Sequence, residues 1–126
     1  MFDLRCYDLY QEAYNRGITD MFHIGDISDG DYSRVRPNHV GEVFLFGATA
    51  QVDYTAKHLP KYPGMKWKVI TGSHDQSHTF NYGPFVFGKE LEKRRNDVEF
   101  LGIRGEIGVK VFFDCLLQPV AILGRD

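Results

Sequence analysis

The chain is 126 residues long, with 15 basic and 17 acidic side chains and a formal net charge of −2. That is one domain's worth of polypeptide, without the basic excess that marks a general nucleic-acid or membrane-surface binder. A hydrophobic fraction of 43% excludes a disordered chain; the two distant cysteines, Cys6 and Cys115, exclude a cysteine zinc site and a disulfide framework, and suit a reducing compartment.

The N-terminal run has acids where a signal peptide needs a basic segment. No apolar stretch approaches the ~18 residues of a membrane span, so a cytoplasmic, membrane-free protein is expected. Leu4, Tyr7, Tyr10 and Tyr14 recur at spacings of three and four, which predicts a helix from about Leu4 to Arg16 with Gly17 at its C-cap. Asp20 to Ile24 is a short apolar run ending at Gly25-Asp26, the pattern of a buried parallel strand. Gly25 to about Asn38 reads as a loop. A longer helix is expected from about Val40 to His58, striped by Leu45, Ala48, Val52, Ala56 and Leu59 and stopped by Pro60. Trp67 to Thr71 predicts a second buried strand, ending at Gly72-Ser73-His74-Asp75, which reads as the start of another loop. A short charged helix, about Gly88 to Asn96, and a third strand, Val98 to Leu101, follow. Glycines 102, 105 and 108 with alternating Val109, Val111 and Phe113 suggest a C-terminal hairpin. Alternation of helix and strand through most of the chain predicts an α/β fold with mostly parallel pairing.

In open α/β sheets, chemistry gathers beyond the carboxyl ends of the strands. Two strands deliver polar segments there: Gly25-Asp26-Ile27-Ser28-Asp29-Gly30 and Gly72-Ser73-His74-Asp75. A carboxylate beside glycine can approach a metal closely, and a histidine backed by a carboxylate can hold a proton for a leaving oxygen. Gly-Asp pairs are also common turn formers. Ser73, His74 and Asp75 have the residue types of a nucleophilic triad, but consecutive side chains point in different directions and do not converge.

Taken as a pair, Gly-Asp-x-x-Asp-Gly after one strand and Gly-x-His-Asp after the next resemble the second and third motifs of the calcineurin-like metallophosphoesterases. The resemblance runs over about Leu4 to Gly102. The segments Gln51-Val52-Asp53-Tyr54 and Arg94-Arg95-Asn96-Asp97 are similar to a branch of that family found in phage and bacterial genomes. It implies a metal-dependent hydrolase of phosphate esters on a partial α/β sandwich core, using manganese, iron or zinc. It makes Asp26 the carboxylate that bridges two metal ions and His74 the group that assists the leaving oxygen. Asp75 would orient His74, and Ser73 would stand where the family has a metal-ligating asparagine. A hydroxyl is a poorer neutral ligand than an amide carbonyl. The family's Asp-x-His motif before the first helix is absent, and no histidine follows His78. The chain therefore reads as a single incomplete domain over residues 1–126.

The loss of a central strand is expected to leave a raw sheet edge that a second copy could cover, so a homo-oligomer is one expectation. The alternative to an enzyme is a non-catalytic α/β fragment that acts through self-association or protein interaction. Among the other histidines, His23 reads as a hydrogen-bonded core residue, the alternative being a supporting role behind the site, and His78 as solvent-facing, the alternative being a place in the pocket lining. Lys89, Lys93, Arg94 and Arg95 read as a solvated face.

Overall fold

The computed structural model describes residues 4–32, 38, 41, 43, 45, 47–105 and 121–123, the segments 4–6 and 121–123 as backbone. Helix α1, Leu4–Asn15, matches the expected span. It ends where Ile18 N–H donates to Ala13 O at 3.1 Å and Gly17 N–H to Tyr14 O at 3.0 Å, the paired bonds that close a helix at a C-terminal glycine. Strand β1, Asp20–His23, buries Met21 and Phe22 in succession, as a strand covered on both faces must.

The next helix, α2, spans Ala48–His58 rather than starting near Val40. Gly47 precedes it at φ 102°, a backbone state that a helix cannot contain and that only glycine adopts cheaply. Leu45 therefore drops out of the expected stripe, and the buried face is Ala48, Gln51, Val52 and Thr55. Strand β2 is Lys66–Val69. The segment expected to be a loop is helical instead: α3 covers Ser73–Tyr82, and the Asp75 carboxylate accepts the Gly72 N–H at 3.0 Å, the bond that opens such a helix. Helix α4, Phe87–Arg94, and strand β3, Val98–Phe100, lie close to their expected places.

These strands and β4, Ala121–Leu123, form one parallel sheet in the order β3-β2-β1-β4, a small α/β fold. Parallel neighbours need crossovers, and α2 supplies the first while α3 and α4 supply the second. Met21 lies opposite Trp67 on one side and Ala121 on the other, so β1 is bonded along both edges. The outer strands of this sheet among the described residues are β3 and β4. The expected hairpin, with Val109, Val111 and Phe113, lies outside the described residues.

The core joins Tyr10 and Ala13 of α1, Val52 of α2, Met21, Trp67 and Val69 of the sheet, and Phe87 and Leu91 of α4. Tyr10 meets Trp67 edge-on at 5.2 Å, and the indole N–H donates to Pro60 O at 2.9 Å, so the largest core side chain leaves no buried donor unpaired. Arg95 belongs to this interior and not to a solvated face. It is 7% exposed, pairs with Asp97, and donates to the carbonyls of Ala56, Leu59 and Pro60. Its neighbours fit the solvated reading better: Arg94 bridges Asp53 at 2.7 Å and Glu90 at 2.9 Å, and Lys93 reaches Glu90 at 3.1 Å. No helix among the described residues is long and apolar enough to cross a membrane.

Candidate functional site at the carboxyl edge of the sheet

Because His23 and Val69 are register partners, the segments leaving β1 and β2 emerge side by side. They touch through glycine. A side-chain carbon on Gly25 would lie 2.8 Å from Gly72 Cα, and one on Gly72 would overlap the backbone and carboxylate of Asp26. Asp26 itself takes φ 54°, the left-handed region that aspartate tolerates better than most residues. From there its Oδ1 accepts the backbone N–H of His74 at 2.9 Å, with the Ser73 hydroxyl 3.5 Å away. Asp26, Ser73 and His74 are therefore brought to one place on one edge. The His74 ring is exposed and stands edge-on to Tyr32, centroids 5.4 Å apart.

Asp75 does something other than orient His74. Buried at 3% exposure, its carboxylate accepts four hydrogen bonds. Oδ1 takes Ser28 N–H at 2.9 Å and Ser28 Oγ–H at 2.8 Å; Oδ2 takes Gly72 N–H at 3.0 Å and Ile27 N–H at 3.4 Å. Among the described residues none of its bonds comes from the His74 ring. Asp75 is a clamp between the two segments, and on the first turn of α3 it points inward while His74 points out.

His78, expected at the solvent, is wholly buried. Its ring stacks on Phe87 at 5.3 Å, and its Nε2 lies 3.2 Å from Ser28 Oγ. Burial lowers its pKa, against the opposing pull of Asp75 and Asp31. His23 is also lowered by burial, opposed by Asp75, Asp26 and the Gly25 backbone, and its Nδ1 is buried without a hydrogen-bond partner among the described residues.

The rest of the segment after β1 is pinned by groups that sequence reasoning missed. Gln51 of α2 accepts Gly30 N–H at 3.1 Å and donates to Gly30 O at 3.0 Å. Ser77 Oγ accepts Asp31 N–H at 2.6 Å, Asn81 donates to Asp31 O at 2.6 Å, and Tyr82 donates to the Asp31 carboxylate at 2.6 Å. A signal existed: Gln51 and Thr55 interrupt an apolar stripe at helical spacing, and Asp75 and His78 share a face once Gly72 is seen to open a helix.

The donors here do not by themselves fit a metal pair. Asp26 Oδ1 is already engaged by a backbone N–H, and among the described residues no three of His, Cys, Asp and Glu come together as a metal site. Comparison with family models, with curated proteins and with solved structures finds no match.

Proposed function

We propose that the edge formed by Gly25–Asp26 and Gly72–His74 is part of a phosphoesterase-type hydrolase site of the calcineurin-like kind. His74 is its proton donor to a leaving oxygen, and Asp26 is its carboxylate. The observation that carries this reading is the bond from His74 N–H to Asp26 Oδ1, which joins residues 48 positions apart at the ends of adjacent parallel strands. An exposed histidine whose backbone N–H binds a carboxylate at the carboxyl edge of an α/β sheet is suited to general-acid work.

A carboxylate facing a phosphate ester repels it, so the reading requires a divalent cation, manganese, iron or zinc. Hydrolysis of bis(p-nitrophenyl) phosphate with each metal tests it. The expected result is metal-dependent turnover, with bound metal measured directly, lost in Asp26→Asn and reduced about 100-fold or more in His74→Asn. Absence of both bound metal and turnover would discard the reading.

A second reading, a non-catalytic α/β domain, is supported by the same bonding. Asp26 is tied to the start of α3 and Asp75 to both segments, as structural carboxylates would be.

A further inference from the structure

Ser28 carries one hydroxyl proton, and the structure shows where it goes. At 2.8 Å from Asp75 Oδ1, a carboxylate oxygen that can only accept, Ser28 Oγ must donate to it. The contact from His78 Nε2 to that same hydroxyl oxygen at 3.2 Å must then run from the imidazole, so the ring proton sits on Nε2. Nδ1, buried with no partner among the described residues, is left as a bare lone pair. The surroundings keep it so: the rings of Phe85 and Phe87 flank the imidazole from the α4 side, and the carboxylates that face it are Asp75 of α3 and Asp31 of the segment after β1. A proton added at Nδ1 would be a buried donor without an acceptor.

We propose that His78, neutral and protonated at Nε2, is a positioning residue: through Ser28 it holds the Gly25–Asp31 segment, and with it Asp26, in register with α3. The chain of contacts is continuous. His78 donates to Ser28 Oγ, Ser28 donates twice to Asp75, and Asp75 receives Gly72 at the opening of α3, two residues before the N–H that binds Asp26. What is held becomes catalytic only under the phosphoesterase reading, on which this assignment of purpose rests; the hydrogen-bond chain does not depend on it.

Nitrogen-15 NMR of the histidine rings tests the proposal on the unaltered chain. His78 should show its proton on Nε2 alone, and should take up its second proton only at lower pH than an ordinary imidazole, whose value is about 6.5. Two variants test the mechanical consequence. His78→Phe keeps an aromatic ring against Phe87 and removes the donor; it should raise amide exchange at Ser28 about five- to tenfold, the factor of one lost hydrogen bond. His78→Gln, whose amide nitrogen reaches the place of Nε2, should restore slow exchange. A proton on Nδ1, titration of His78 at or above the ordinary imidazole value, or unchanged Ser28 exchange in folded His78→Phe would each overturn the proposal. If the nitrogen pattern is as expected while the unaltered chain neither binds metal nor hydrolyses the ester, the phosphoesterase reading fails and the positioning role stands.

Discussion

Asp26 combines a left-handed backbone with a side chain that accepts the opening N–H of the neighbouring helix, and the two properties separate by substitution. Asparagine adopts φ > 0 as readily and keeps an amide oxygen for His74 N–H, so Asp26→Asn should change stability by less than about 1 kcal/mol. Alanine loses the acceptor and carries the strain, and Asp26→Ala should cost about 1–3 kcal/mol by urea unfolding. The comparison isolates charge from architecture: activity lost in a stable Asp26→Asn protein belongs to the carboxylate. Asp75 behaves differently. Its two oxygens each accept protein donors, so an amide would turn an N–H₂ toward other N–H groups. Asp75→Asn should destabilise the chain by about 2–4 kcal/mol in the same assay. Were Asp75 only a partner of the His74 ring, stability would scarcely change. Sequence reasoning found both carboxylates because their glycine neighbours marked the strand ends. The orienting role that the resemblance implies for Asp75 meets a helix turn that sends it inward and His74 outward.

At the scale of elements, β1, β2 and β3 are legible because their apolar runs are short and bounded by turn residues, and α1 and α4 because their spacing is clean; β4 is not. Nor is helix α3. Its residues, Ser73 to Tyr82, are mostly polar, and only the bond from Gly72 to Asp75, which holds a tertiary clamp as well, starts the helix. Arg95 was misread for a related reason: a basic run looks solvated unless the carbonyls that converge on one member are known. The arginine ties the end of α2 to the approach to β3, through Leu59, Pro60 and Asp97. A lysine cannot reproduce that planar array of donors. Arg95→Lys should therefore lower stability by about 2 kcal/mol or more, whereas Arg94→Lys, at an exposed pair, should cost under about 1 kcal/mol. Equal effects in thermal unfolding would contradict the buried role.

For the whole molecule, two buried imidazoles set the response to acid. Burial lowers the pKa of both His23 and His78 in the folded chain. Above about pH 6.5, the ordinary imidazole value, both rings are neutral whether folded or not, and their contribution to stability is complete. Below it the unfolded chain binds protons that the folded chain does not, so stability falls with falling pH until the lowered folded values are passed. The urea midpoint should accordingly drop between pH 7.5 and 5.5. His78→Gln should show a shallower drop, because one of the two titrating groups is gone. A midpoint that rises on acidification would contradict the burial of these rings.

The sequence by itself determined that this is an α/β chain, which segments form most of its strands and helices, and which residues stand at the two strand ends where chemistry gathers. Those properties follow from periodicity and turn chemistry, which act over a few residues. Only the tertiary structure decided that β4 lies beside β1, that Arg95 and His78 are interior, and that Asp75 and Ser28 are spent on each other. Such outcomes depend on which groups meet across 35 to 100 positions of chain, and local pattern carries no record of those meetings.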